Sequence, residues 1–134
     1  MVACILLTTG LFGQTQQWVK TSEGQLNCKK VSLDGEKVKV TLDNGDKKDY
    51  TIDEVNSYFS DGSLFVKVPY YEKGVKGKDV FMESIANKED QQLYKYKERI
   101  GLPIRYFVYK GDNLVNEVTE SNKAGFEKFF NVSI

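Results

Sequence analysis

The residues best suited to chemistry in this chain are its tyrosines, of which there are eight in 134 residues. A tyrosine offers a flat apolar ring for stacking and a hydroxyl for hydrogen bonding, so tyrosines on one sheet face can bind a sugar ring or a peptide. The adjacent pair Tyr70 and Tyr71 and the alternating pair Tyr94 and Tyr96 are the predicted ligand-binding residues. Tyr70 and Tyr71 are preferred, because adjacent strand residues point to opposite faces and a glycine-rich segment, expected to be a mobile loop, follows them. The alternative is that Tyr94 and Tyr96 belong to an ordinary half-buried strand.

Several kinds of catalytic and metal chemistry are excluded, because the chain contains no histidine. Ser-His-Asp and Cys-His hydrolysis and histidine-ligated metal sites all require an imidazole. The acidic turn at residues 43–46 lacks the ligand spacing of a calcium loop, and residues 74–78 lack the spacing of a phosphate-binding loop. We predict no metal, no cofactor and no catalytic residue. The alternative is a small enzyme that uses carboxylates or a tyrosine, with Glu83 as one candidate carboxylate.

The distribution of charge predicts an exported protein. Lysine and arginine total 19 and aspartate and glutamate total 19, which removes the electrostatic reason to expect a nucleic-acid partner. The first 19 residues carry no charged side chain. Their apolar run is shorter than the roughly 20 residues that span a bilayer, but it suits a secretory signal peptide cleaved after Gly13. We expect residues 1–13 to be a truncated signal peptide and the protein to reach the periplasm, the cell surface or the medium. The alternative is a buried first strand or short helix.

The two cysteines are consistent with export. Cys4 lies inside the predicted signal peptide, so the mature chain would keep Cys28 alone and form no internal disulfide. Cys28 alternates with Leu26, which predicts a small buried side chain. If the signal-peptide hypothesis fails, a bridge between Cys4 and Cys28 becomes possible.

The elements that must position these side chains are predicted to be β-strands joined by tight turns. Short segments between the turns alternate apolar and polar residues, as Val38 and Val40 do in residues 37–42, which indicates half-buried strands. We predict eight to nine strands, with Pro69 ending the strand over residues 63–68 because proline lacks the N–H that a ladder needs. The turn signals include Asp34-Gly35, Asn44-Gly45, Asp61-Gly62 and Gly111-Asp112.

The C-terminal segment predicts a helix. Phe126, Phe129 and Phe130 have the spacing of one helix face over residues 121–130, and Ser121 is the expected N-cap. The predicted fold is mostly β, an antiparallel meander forming a barrel-like roll or sandwich with this helix packed on it. We expect one domain over residues 14–134. A division into halves near Gly74 is the alternative, although halves of about 55 residues would be marginally stable alone.

Three features of the chain stand out together: Leu11-Phe12-Gly13-Gln14, the segments at residues 40–45 and 50–55, and the strands containing Phe81-Met82 and Leu93-Tyr94-Lys95-Tyr96. In these features the chain resembles small exported β-rich proteins of Bacteroidota. These proteins are uncharacterised as a group, so the resemblance implies export from a bacterial cell and brings no catalytic residue. The expected function is therefore that of a non-catalytic β protein that binds a protein, peptide or glycan. A structural component whose exposed edge strand recruits another chain is a further alternative.

Overall fold

The computed structural model describes residues 16–98 and 101–134. They contain eleven β-strands, one short 3-10 helix and one α-helix near the C-terminus. The predicted class, mostly antiparallel β with one C-terminal helix, is confirmed. The predictions about residues 1–13 and Cys4 lie outside the described residues. The chain divides into two compact units, one up to Leu64 and one from Phe65.

The first unit contains two antiparallel sheets. In one sheet β1 pairs with β2 and β6, and in the other β3, β4 and β5 form a meander. Two side chains connect the sheets at Val31, whose N–H donates to Gln17 Oε1 at 3.3 Å and whose carbonyl accepts from the Ser60 hydroxyl at 2.8 Å. The elements are β1 (Gln17–Thr21), β2 (Gly24–Cys28), β3 (Lys30–Asp34), β4 (Lys37–Thr41), β5 (Lys47–Thr51), the 3-10 helix (Ile52–Glu54) and β6 (Val55–Ser60).

The core of the first unit consists mainly of valines from alternating strand positions. Val19, Val38 and Val55 are fully buried. Cys28 is 1% exposed, which confirms its prediction as a small buried side chain. Burial, and then the nearby charge of Asp43, raises the pKa of the Cys28 thiol. A buried thiol with a raised pKa has little thiolate character, which favours a structural role for Cys28.

The second unit is a five-stranded antiparallel meander with the helix on one face. Each strand pairs with the next in chain order, from β7 to β11. Bulges interrupt the register of three of these pairs, and a bulge increases the local bend and twist of a strand. The elements are β7 (Ser63–Glu72), β8 (Val75–Lys88), β9 (Gln91–Tyr96), β10 (Arg105–Lys110), β11 (Asn113–Glu117) and α1 (Lys123–Phe130).

The sheet of the second unit is strongly curved. Strands β7 and β10 are separated by β8 and β9, which in a flat sheet would put them about 14 Å apart. The Tyr109 hydroxyl of β10 nevertheless donates to the Pro69 carbonyl of β7 at 2.6 Å. The end of β7 therefore folds over the face of β9 and β10. Among the described residues of this unit β7 and β11 do not pair with each other, so it is an open roll rather than a closed barrel.

The predicted end of a strand at Pro69 is wrong. Strand β7 continues through Pro69 to Glu72, and the segment predicted to be a mobile glycine-rich loop forms the rest of a hairpin. Pro69 lies opposite Asp79, and the register shifts directly after it. Proline is tolerated in a sheet at a bulge, because the regular ladder of hydrogen bonds is already interrupted there.

The predicted helix docks on the sheet as expected. Phe130 is buried in one cluster with Leu93 and Val108, and Phe126 and Phe129 pack against that cluster. The predicted N-cap is wrong by one residue, since the helix begins at Lys123 and its N-cap is Asn122 rather than Ser121. The side chain of Asn122 instead accepts the N–H of Thr119 at 2.7 Å, which stabilises the turn before the helix. No helix within residues 16–98 and 101–134 has the length and apolar character to cross a membrane.

Candidate functional site

The two faces of strands β9 and β10 have different surroundings. Leu93 and Val108 point to the face that packs against α1. Tyr94 and Tyr109 point to the opposite face, which is covered by the folded end of β7. Aromatic side chains from β7, β9 and β10 gather on this face and are called here the tyrosine cluster. Its members are Tyr70, Tyr71, Tyr94, Tyr96, Phe107 and Tyr109.

All four tyrosines predicted to bind ligand belong to this cluster, but they differ in exposure. Tyr94 is only 6% exposed and packs edge-on against Tyr109, with ring centroids 5.6 Å apart. Burial, and then the charge of Asp112, raises the pKa of Tyr94. Tyr94 is thus a core residue, whereas Tyr70, Tyr71 and Tyr96 are half-buried.

Strict alternation predicts that Tyr70 and Tyr71 point to opposite faces of the sheet. The structure differs from this prediction. Both pack against the tyrosine cluster. The register shift between Pro69 and Tyr71 breaks the alternation at this point. The Tyr71 ring lies 6.2 Å from the Tyr109 ring, and its hydroxyl donates to the Asp112 carbonyl at 3.1 Å. Tyr71 therefore helps to hold the folded end of β7 against the turn between β10 and β11.

One end of the cluster contains a firmly held arginine. Nε of Arg105 donates to Oε2 of Glu117 at 2.8 Å, and Nη2 donates to Oε1 at 2.9 Å. Nη1 donates to the Tyr70 hydroxyl at 2.7 Å, and the guanidinium carbon lies 4.9 Å from the centre of the Phe107 ring. Three hydrogen bonds and a ring contact leave this side chain little conformational freedom. We call the set Tyr70, Tyr96, Arg105, Phe107 and Glu117 the Arg105 corner.

The strand register explains why these residues meet. Arg105 of β10 lies directly opposite Tyr96 of β9, and Phe107 lies opposite Glu117 of β11. Arg105 and Phe107 are two residues apart, so they share a face, and Glu117 is the diagonal neighbour of Arg105. Tyr70 joins them because the end of β7 folds over this face.

The aromatic part of the Arg105 corner is a triangle of rings. The Tyr70 and Tyr96 centroids are 5.4 Å apart with the planes inclined by 47°. The Phe107 centroid is 6.3 Å from that of Tyr70 and 6.4 Å from that of Tyr96. Phe107 is buried below, while the two tyrosines keep part of their surface accessible.

The electrostatics of the Arg105 corner favour a permanently charged pair. The hydrogen bond to Glu117 raises the pKa of Arg105 further above its usual value, and the hydrogen bond from Arg105 lowers the pKa of Glu117. Burial, followed by the charge of Glu98, raises the pKa of Tyr96. At neutral pH the pair is therefore a fixed cation beside a fixed anion, with side chains 37% and 38% exposed.

Arg105 and Glu117 are not among the ligand-binding residues predicted from the sequence. The signal for Arg105 was present, since it alternates with Phe107 and Tyr109 in a predicted strand and must share their face. A charged residue in line with two buried aromatic residues needs a partner. Glu117 gave no comparable signal, because its position depends on the bulge between Val108 and Tyr109.

The other candidates from the sequence form no second site. Glu83 lies half-buried in β8. The Asn44 side chain accepts the N–H of Asp46 at 2.9 Å, so it stabilises the acidic turn itself. In the part of the chain that the structure describes, no three metal-ligating side chains cluster together.

Strand β5 is one of the edge strands of the first unit. The N–H of Leu42 donates to the carbonyl of Asp46, so along this antiparallel pair Lys47, Asp49 and Thr51 direct their backbone groups away from β4. The Thr51 N–H is already bonded to the Glu54 carboxylate at 2.8 Å. Two residues remain along this edge, which is short for recruiting another strand.

A shallow surface recess lies on the same two strands. It has a volume of about 430 Å³ and is lined by Lys39, Val40, Thr41, Lys47 and Asp49. Its lining contains no aromatic side chain. The recess is a surface depression between β4 and β5 rather than a formed site.

Comparison of the chain with protein-family models, with curated proteins and with solved structures finds no match.

Proposed function

We propose that the protein is a non-catalytic binding protein, exported from a bacterial cell, that binds its protein, peptide or glycan partner at the Arg105 corner. One observation carries the proposal: Arg105 is held by Glu117, Tyr70 and Phe107, yet its side chain stays 37% exposed beside two half-buried tyrosine rings. Tyrosine and arginine are the residue types that most often dominate binding energy at interfaces. Side chains held in place before binding also lose less conformational entropy when a partner arrives.

The protonation behaviour of the Arg105 corner argues for binding rather than catalysis. General acid-base catalysis needs a group whose pKa lies near the working pH. The pKa of Arg105 is shifted upward and the pKa of Glu117 downward, so both move further away from neutral pH. Burial moves the pKa of Tyr96 upward as well. None of these three groups is prepared to exchange a proton at neutral pH.

The export part of the proposal is supported by the sequence alone. The first 19 residues carry no charged side chain, and the apolar run among them has the length of a signal-peptide core. The measurement is N-terminal sequencing of the protein from fractionated cells. A mature chain that begins near residue 14 in the periplasmic or surface fraction supports export, whereas a cytosolic chain that still begins at Met1 contradicts it.

The binding part of the proposal is tested by screening the protein against a printed glycan array and a phage-displayed random peptide library. Ligands found with the unaltered protein are retested on Tyr96→Ala and on the matched control Tyr50→Ala. Tyr50 is half-buried like Tyr96 but lies on β5, where Lys48 Nζ is 5.1 Å from its ring centroid. A ligand lost only in Tyr96→Ala supports the proposal. The absence of any ligand, or equal loss in both variants, contradicts it.

A further inference from the structure

Building on the proposed function, we infer that the ligand of the Arg105 corner is a neutral carbohydrate chain. One sugar ring packs against the accessible faces of Tyr70 and Tyr96, and its hydroxyl groups bond to Arg105 and Glu117. Cationic and anionic ligands both fit the Arg105 corner poorly, whereas its remaining polar groups match those of a sugar.

A cationic ligand is disfavoured because the aromatic rings already hold a cation. The guanidinium carbon of Arg105 lies 4.9 Å from the centre of the Phe107 ring and 6.0 Å from that of Tyr70. Both distances are within the range over which a ring attracts a positive charge. A second cation would meet the charge of Arg105 instead of a vacant aromatic face.

An anionic ligand is disfavoured because the positive charge of Arg105 is already balanced by Glu117. Its Nε and Nη2 form a two-point hydrogen-bonded pair with the Glu117 carboxylate at 2.8 and 2.9 Å. This is the geometry in which arginine binds a carboxylate most strongly. An anionic ligand would have to displace Glu117 or lie next to its negative charge.

The polar groups that remain suit a polyol. The Tyr70 hydroxyl accepts a hydrogen bond from Nη1 of Arg105, so its own proton is available to a ligand. Among the described residues the Tyr96 hydroxyl has no hydrogen-bond partner. Glu117 has two carboxylate oxygens with spare lone pairs, and the guanidinium keeps N–H groups that Glu117 and Tyr70 do not use. Donors and acceptors thus alternate over a small area, as the hydroxyl groups of a sugar do.

The apolar surface suits the flat side of a sugar ring. Tyr70 and Tyr96 are inclined by 47° with their centroids 5.4 Å apart, so the two rings form a shallow open angle. Each ring gives flat apolar area with a hydroxyl at its end, and each has only two side-chain torsions to immobilise. A sugar ring that covers these faces places its hydroxyl groups near the Arg105 and Glu117 pair.

The test measures binding of four neutral hexasaccharides and one anionic hexasaccharide by isothermal titration. The neutral set contains cellohexaose, maltohexaose, laminarihexaose and chitohexaose, and the anionic probe is hexagalacturonate. We expect at least one neutral probe to bind, with an affinity that is nearly constant between about 50 mM and 500 mM salt because no net charge is screened. Tyr96→Ala should weaken that binding at least tenfold, while Tyr50→Ala leaves it unchanged. Tyr96→Phe, which keeps the ring, should retain the fold and most of the binding.

A variant that removes the charge of Glu117 sharpens the same test. Glu117→Gln removes the anion and leaves the Arg105 cation, so hexagalacturonate should bind this variant measurably and the unaltered protein at least tenfold more weakly. Stronger binding of hexagalacturonate than of every neutral probe to the unaltered protein overturns the inference. Binding of no neutral probe overturns it too. In the first case Tyr96-dependent binding of hexagalacturonate leaves the proposed function standing. In the second case a peptide ligand that depends on Tyr96 does so, whereas the lack of any ligand removes both.

Discussion

Replacing Tyr109 with phenylalanine is expected to lower the free energy of unfolding by about 1–3 kcal/mol, the cost of removing one partner of a buried hydrogen bond. Tyr109 is fully buried, and its hydroxyl donates to the Pro69 carbonyl at 2.6 Å. Pro69 is itself buried, so water cannot easily replace the lost donor. The ring stays in place, and the variant therefore removes the hydrogen bond without opening a large cavity.

The matched control is Tyr71→Phe, which makes the same chemical change at an exposed hydrogen bond. The Tyr71 hydroxyl donates to the Asp112 carbonyl at 3.1 Å, and Asp112 lies in an exposed turn. Water can solvate that carbonyl in the variant, so the loss should stay below about 1 kcal/mol. The difference between the two variants isolates the effect of burial.

The assay is urea unfolding followed by far-ultraviolet circular dichroism, with the free energy obtained by linear extrapolation. Trp18, the one tryptophan in the chain, is a second probe that reports the unit containing residues up to Leu64. If the structural argument is correct, Tyr109→Phe loses clearly more stability than Tyr71→Phe. Equal losses, or a loss of less than about 0.5 kcal/mol in Tyr109→Phe, would refute the idea that this hydroxyl stabilises the folded end of β7.

Four further variants test predictions about stability. Gly125→Ala should raise the free energy of unfolding by up to about 1 kcal/mol in urea titration, because Gly125 is inside α1 and an added Cβ meets open space. Gly77→Ala should lower it, since the Cβ would lie 2.9 Å from a backbone carbonyl oxygen, and opposite signs in these two variants are the check. Phe130→Ala should cost about 3 kcal/mol and lower the melting temperature in calorimetry, and an unchanged value would contradict helix docking. Burial raises the pKa of Tyr58 to about 12, so the folded protein binds this proton more tightly than the unfolded chain. The resulting contribution to the free energy of unfolding is complete below pH about 10 and is lost as pH rises towards 12. Tyr58→Phe should flatten the alkaline fall in stability, and an unaltered slope would argue against this origin.

The strand content and the helix could be predicted because they follow from local periodicity. Val38 and Val40 alternate in β4 as expected, and the spacing of Phe126, Phe129 and Phe130 placed the helix. The length of a turn is harder to predict. Asn44-Gly45 is typical of a two-residue hairpin loop, but the loop here covers residues 42–46, because Asn44 bonds to Asp46 within a wider turn.

The candidate site could be predicted only in part, because its assembly depends on bulges. The tyrosines were recognised by type, and all four belong to one cluster. The sheet face on which each tyrosine lies was not predictable, since one extra residue in a strand moves every later side chain to the opposite face. Pro69 marks such a position, but proline indicates a strand end more often than a bulge. The pairing of Arg105 with Glu117 depends on another shift, between β10 and β11.

The hydrogen bonds that hold the end of β7 over the sheet have a consequence for the order of folding. They join residues far apart in the chain, with separations of 40 residues for Tyr109 and Pro69, 41 for Tyr71 and Asp112, and 35 for Arg105 and Tyr70. Contacts of long sequence separation pay a large loop-closure entropy, so the hairpins of β8 to β11 can form before β7 folds over them. Loss of the Tyr109 hydroxyl should then speed unfolding and leave the refolding rate almost unchanged. The Arg105 corner would be the last part of this unit to assemble and the first to come apart.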